Sequence, residues 1–253
     1  MWLPALISLL VLALSSLSYV LGYDWFNLLP ANDTLGTIIS SVSFTGSIHG
    51  VFISLIVLAI HSATTARQCW RHLLCILPVL SVAILLAWGL KNLIAEPRPN
   101  VAMLQQAGLL SQDYYQQDHD DKISTMEAAL SQALTVPEFV KRDWVMETGY
   151  AMPSIHTVIA LTLGLYFFAI FRRDQRHRTA WALLCWAYIV CYSRLLLNVH
   201  RPEDLIVGAV IASLAAAMGF KILQNKEHKD QLRIKARAEK LAEAHRSTGV
   251  TRD

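Results

Sequence analysis

Residues 144–173 read WVMETGYAMPSIHTVIALTLGLYFFAIFRR. From about 152 to 171 the run carries no Asp, Glu, Lys or Arg, and it opens on Pro-Ser and closes on Arg-Arg. A helix of ~20 such residues matches the ~30 Å hydrocarbon core of a bilayer. The stretch predicts a membrane span that starts abruptly at a proline and ends at a basic margin.

Five further windows are similarly apolar, with their few charges towards the ends, at about 3–22, 48–66, 73–94, 179–199 and 203–223. The first has no basic residues ahead of it and no clear small-residue cleavage site after it, so it predicts an anchored helix rather than a secretory leader. Apolar residues make up 54% of the chain and charged residues 16%, against about 25% charged in soluble domains. The expected fold is all-α, a polytopic bundle of six transmembrane helices in the lipid bilayer. A net charge of +3 is too small to point to nucleic acid. Cys69, Cys75, Cys185 and Cys191 fall in or beside apolar stretches with no metal-binding spacing, so they read as small packing residues.

The connections set the orientation. Arg67 and Arg71 follow the second window, Arg172, Arg173, Arg176 and Arg178 follow the fourth, and a basic tail begins at Lys221. The first connection holds Asp24 and Asp33 with no Lys or Arg. By the positive-inside rule both termini and the arginine loops face the cytoplasm. The loops after spans one, three and five then face outward. Four segments follow: spans one to three over 1–94, a polar helical cap on the outer face over 95–150, spans four to six over 151–223, and a cytoplasmic helical tail over 224–253.

Ionisable residues at span ends group into three motifs, all at ends expected to face outward. Lys91-Asn-Leu-Ile-Ala-Glu-Pro-Arg98-Pro99 closes the third span, where Pro97 and Pro99 should end the helix. Both cations could instead simply reach for the interface. Pro153-Ser154-Ile155-His156 opens the fourth. Proline at a helix start leaves the next N–H groups free, and with the Ser154 hydroxyl they make an anion site at the positive end of the helix dipole. An ordinary proline-started helix has the same appearance. Ser193-Arg194 and His200-Arg-Pro-Glu-Asp204 join the fifth and sixth spans. The Asp204 carboxylate could orient the His200 imidazole and free its other nitrogen as nucleophile or base, or Glu203 and Asp204 could merely stabilise the sixth helix at its first turn. Together the motifs supply three fixed cations, a helix N-terminus, two histidines and a carboxylate, the inventory for cleaving a phosphate ester. The acidic run Asp118-His119-Asp120-Asp121 reads as solvated surface, and no metal site is expected.

The three motifs resemble the signature of the type 2 phosphatidic acid phosphatase superfamily, K-x6-R-P, P-S-G-H and S-R-x5-H-x3-D. Residues 144–156 look most like its bacterial phosphatidylglycerophosphatase B branch. The departure is Ile155, which stands where the family has glycine. Its N–H survives, but a β-branched side chain crowds the site and resists a positive φ.

The resemblance implies a bacterial inner-membrane lipid phosphatase whose site faces the periplasm and which needs no cofactor or metal. Lys91, Arg98, Arg194, Ser154 and the Ile155 backbone would bind phosphate. His200, oriented by Asp204, would attack phosphorus, and His156 would serve as acid and then base. Expected substrates are phospholipids, including phosphatidylglycerol phosphate, phosphatidic acid and diacylglycerol pyrophosphate, or the polyprenyl lipid undecaprenyl pyrophosphate. The alternatives are a phosphotransferase and a catalytically impaired lipid-binding protein, the latter motivated by Ile155.

Overall fold

The computed structural model describes residues 2–22, 25–28, 33–133 and 135–248. Asp24, on which the charge reading of the first connection partly rests, lies outside them. The described residues form ten α-helices and no strand. In chain order they are α1 (Trp2–Val20), α2 (Asp33–Thr45), α3 (Val51–Ser62), α4 (Ala66–Ile94), α5 (Pro99–Gln106), α6 (His119–Gln132), α7 (Glu138–Met146), α8 (Ile155–Arg173), α9 (His177–Leu196) and α10 (Pro202–Thr248).

Four helices, α4, α8, α9 and α10, are long and apolar enough to cross a membrane, and shorter apolar stretches run Pro4–Leu17, Thr34–Thr45 and Val51–Ser62. The chain is a multi-pass membrane protein. The window at 48–66 contains α3, whose 12 residues rise only ~18 Å. Ahead of it stands α2, which no apolar window announced. Glycines flank the break between them, and the Gly50 N–H donates to Ser47 Oγ at 2.9 Å rather than to a carbonyl one turn back. A local hydroxyl thus competes with the helical ladder.

Centrally, α8 packs against α3, α4, α9 and α10. It is apolar on all sides and buried from Thr157 through Phe168, the pattern of a helix wrapped by others. Its start differs from expectation. Pro153 does not occupy the first helical position; Ser154 precedes Ile155 as the N-cap, and its hydroxyl accepts from the Thr157 N–H at 3.4 Å. A serine oxygen satisfies that orphan donor, so the helix begins one residue after the cap.

At its other margin the bundle carries a second core. Residues of α5, α6 and α7, among them Val101, Leu104, Met126 and Phe139, pack with Trp144 on Leu197 and Val199 of the α9–α10 connection. Trp144 is fully buried, and its indole N–H donates to the Leu197 carbonyl at 2.7 Å. Trp144→Ala is expected to lower stability by about 3–5 kcal/mol. Trp144→Phe, which keeps the ring but strands that carbonyl, should cost about 1–3 kcal/mol. Thermal unfolding in detergent checks both; equal losses would mean that the hydrogen bond, not the packing, dominates.

Candidate active site

The three motifs meet because backbone hydrogen bonds stitch their flanks together. Helix α4 ends at Ile94, and Ala95 turns left-handed (φ 52°) ahead of the two prolines. The Ala151 N–H donates to the Glu96 carbonyl at 2.8 Å, Asn100 N–H to Asn198 at 3.0 Å, and Ser154 N–H to Asp204 at 3.1 Å. Arg201 adds a clamp, donating to Glu96 Oε1 at 2.8 Å and the Pro97 carbonyl at 2.9 Å. The end of α4, the start of α8 and the α9–α10 connection thus form one frame.

Within the frame every cation is held by several partners. The Lys91 ammonium is buried and donates to the Tyr150 and Ala151 carbonyls at 2.6 and 2.7 Å. Arg98 donates from Nε to the Gly149 carbonyl at 2.7 Å and from Nη1 to the Val199 carbonyl at 3.1 Å. Arg194, 1% exposed, donates from Nη1 to Ser43 Oγ of α2 at 2.7 Å. Such multiple anchoring fixes where the charge points, which unrestrained lysine and arginine side chains do not do.

His200 and Asp204 form the expected pair, with Nδ1 of the buried imidazole 3.0 Å from Asp204 Oδ2. The same oxygen accepts from the Arg201 N–H at 2.9 Å. Arg98 Nη1 lies 3.3 Å from His200 Nε2. A guanidinium only donates, so this contact places the lone pair on Nε2 and the proton on Nδ1, facing Asp204. Burial, then the Arg98 guanidinium and the Lys91 ammonium, hold the His200 imidazole well below its ordinary range. It is neutral at pH 7, with Nε2 free to act as nucleophile once Arg98 turns to a substrate.

Glu147 carries no role in the sequence reading, yet it holds the centre of the site. Its carboxylate pairs with Arg98 Nη2 at 2.6 Å and with Arg194 Nη2, and His156 Nδ1 lies 3.8 Å away. Burial alone would raise its pKa; the Arg98 and Arg194 guanidiniums overcome that and hold it well below the usual carboxylate range. Its position in the quoted stretch 144–156, nine residues before His156, is the signal that could have found it. Asp143, also unforeseen, accepts from Ser40 Oγ at 2.6 Å and ties α7 to α2.

A cavity of about 230 Å³ opens among Lys91, Arg98, Glu147, His156, Arg194 and His200. Ser47, Ile48 and His49 of the α2–α3 break form one wall, and Phe44 and Met146 stand exposed at the rim. Ser154 is fully buried in its capping role, and its N–H is committed to Asp204. Unlike Lys91, Arg98, Ile155 and Arg194, it does not line the cavity. Ile155 does line the cavity. Its φ is not positive, so isoleucine stands there without backbone strain and only its bulk distinguishes it from glycine. Among the described residues no group of three or more His, Cys, Asp or Glu side chains is placed to hold a metal ion.

The PAP2 superfamily model matches residues 69–228, which hold all three motifs and Glu147. The chain belongs to the PAP2 superfamily. Among PAP2 relatives, phosphatidylglycerophosphatase B of Escherichia coli K12 is 32% identical over 151 residues, 58% of this chain and 59% of the relative. The protein of that name from Haemophilus influenzae is 28% identical over 144 residues, 54% of this chain and 60% of its own length. These matches thus span about three-fifths of the relatives. The crystal structure of a transmembrane PAP2-type phosphatidylglycerolphosphate phosphatase from Bacillus subtilis covers 90% of this chain and 98% of its own, with a TM-score of 0.51 and 15% identity. That likeness establishes a shared PAP2 fold.

Proposed function

We propose that the chain hydrolyses the phosphate esters of membrane lipids through a phosphohistidine. The observation that carries this is the Asp204-oriented His200, whose Nε2, held by Arg98, lies at a cavity lined by Lys91, Arg98 and Arg194. Phosphate displaces Glu147 from the two guanidiniums. His200 Nε2 attacks phosphorus in line as the bond to the lipid oxygen breaks, and His156, protonated once the bound phosphate offsets the neighbouring cations, gives its proton to that oxygen. Neutral His156 then takes a proton from water, whose oxygen attacks phosphorus and breaks the N–P bond, releasing inorganic phosphate and restoring both histidines. Fixed cations aimed at the developing charge supply most of the stabilisation.

The exposed Phe44, Ile48 and Met146 at the rim suit acyl or polyprenyl chains, so the substrate class is lipid. Phosphatidylglycerol phosphate heads the candidates, after the names of the relatives, ahead of phosphatidic acid, diacylglycerol pyrophosphate and undecaprenyl pyrophosphate. In this reading α1 and the α2–α3 pair complete six passes, 95–150 forms an outer cap, the site faces the periplasm and both termini are cytoplasmic. The test is phosphate release from these lipids by the purified chain in EDTA, with product lipids resolved. Release of inorganic phosphate supports hydrolysis; a newly phosphorylated acceptor lipid would make the chain a transferase, and no turnover of any of them would leave a lipid-binding protein.

Ile155 should restrict the headgroup. Removing its branches beside the cavity in Ile155→Gly is expected to raise kcat/KM roughly tenfold for the bulkier headgroups relative to phosphatidic acid, since each methylene of a pocket wall is worth about that factor. Parallel assays across headgroups check it; an unchanged ratio would show that Ile155 faces no part of the substrate.

A further inference from the structure

About 20 residues before Lys91, roughly 30 Å along the helix at 1.5 Å per residue, α4 carries Arg67, Trp70, Arg71 and Leu74 at spacings that share one face. That separation is one hydrocarbon thickness, so this end of α4 lies at the membrane face opposite the candidate active site. Facing it, α10 presents Lys226, Lys229, Asp230 and Arg233 at the same spacing. Between the two helices runs a groove of about 530 Å³, lined by these eight residues.

Its electrostatics are one-sided. Asp230 is the sole acid of the lining, and it is taken by Arg71 at 3.6 Å, as is the neighbouring Glu227, which Arg173 also holds at 2.6 Å. Arg67, Lys226, Lys229 and Arg233 have no ion pair among the described residues. The Arg71 Nε–H is buried without a hydrogen-bond partner. Like charges gathered along one groove repel modestly in water, and an anion among them relieves that repulsion. Below the cations Trp70 (64% exposed) and Leu74 (58% exposed) present apolar surface. A tryptophan at the end of a span sits at headgroup depth, which puts a polar, cationic upper part and an apolar lower part in one groove.

We infer that this groove binds an anionic phospholipid of the leaflet opposite the active site, its headgroup phosphate among Arg67, Lys229 and Arg233 and its acyl chains along Trp70 and Leu74. Guanidinium and ammonium groups pair with phosphate oxygens, and cationic pockets between spans at this depth suit such headgroups. The ligand is a resident lipid rather than a substrate, because every reacting group of the candidate site lies a membrane thickness away.

The experiment uses the full chain in bilayer nanodiscs containing lipids brominated on the acyl chains, which quench nearby tryptophan. The Trp70 signal is taken as the difference between wild type and Trp70→Phe. Half-quenching should require about tenfold less brominated phosphatidylglycerol than brominated phosphatidylcholine. In Arg67→Gln/Lys229→Gln/Arg233→Gln, which removes exposed charges and no packing, the preference should fall to within twofold while lipid phosphatase activity and helical circular dichroism stay at wild-type values. The single variant Arg233→Gln, expected to lose about threefold, covers the case in which the triple variant misfolds. Equal quenching by both lipids in wild type, or a preference that survives in the variants, overturns the proposal. So does competition by millimolar glycerol phosphate, which would make the groove a site for soluble anions.

Discussion

Replacing His200 by alanine is expected to lower phosphate release from lipid by on the order of 10⁴-fold or more, because it removes the one imidazole of the cavity that a buried carboxylate orients for attack. The buried pair with Asp204 makes the comparison informative. In Asp204→Asn one side-chain oxygen still serves two donors, the His200 Nδ1–H and the Arg201 N–H, that share Oδ2 in the wild type. The imidazole then keeps its place but loses the carboxylate that stabilises its positive charge during attack, and a drop of roughly 10²–10⁴-fold follows. His156→Ala should separate the two half-reactions. With a lipid alkoxide as leaving group both steps slow; with p-nitrophenyl phosphate the leaving group needs no proton, so phosphohistidine still forms and then accumulates. Quench-flow with labelled phosphate reads this directly. Label on the protein in His200→Ala, or none in His156→Ala with the activated ester, would remove His200 from the role of nucleophile.

The second large effect belongs to Glu147. In Glu147→Gln the Arg98 and Arg194 guanidiniums lose the carboxylate that bridges them. Removing one partner of a buried ion pair costs about 3–5 kcal/mol; the Glu147 side chain is 17% exposed, which trims this to about 2–4 kcal/mol. Because its folded pKa is depressed, the carboxylate lends its full stability above the unfolded value of about 4.3 and loses it only as pH falls through the folded value. From pH 5 to 8 the wild-type advantage should therefore be flat. Vanadate, which mimics the phosphate in transfer, should restore most of the variant's lost stability by taking the vacated place, and should bind it about tenfold more tightly than it binds wild type. Weaker vanadate binding by the variant would mean that Glu147 supports the anion instead of yielding to it.

Most of the candidate reacting groups were legible because their chemistry is costly at a span end. Lys91, Arg98, Arg194 and His200 sit where lone cations and imidazoles are rare, and Pro97 and Pro99 mark where α4 must stop. Glu147 was not legible, since an acid in a mixed-charge loop looks like any solvated carboxylate until the chain brings two buried guanidiniums to it. The Tyr150 and Ala151 carbonyls that hold Lys91 depend on a contact across about 60 residues, which no local pattern encodes. Helix α2, with the hydroxyl-rich sequence DTLGTIISSVSFT, is too short and too rich in Ser and Thr to register as a span, although its Ser43 anchors Arg194. Ser154 shows a role that the sequence reading did not assign. Its type and position suggested an anion ligand, whereas its oxygen serves the first turn of α8.

The unbroken length of α10 has a geometric result. From Asp204 to Lys229 the helix advances about 25 residues, close to seven complete turns at 3.6 residues per turn. The carboxylate bonded to His200 and the middle of the cationic groove therefore project at nearly the same azimuth, about 38 Å apart along one axis. With no turn or loop between them, a twist of the helix at one membrane face reaches the other in phase. A one-residue insertion between Gly219 and Lys226 would turn the groove about 100° away from α4 while leaving every contact of Asp204 as it is.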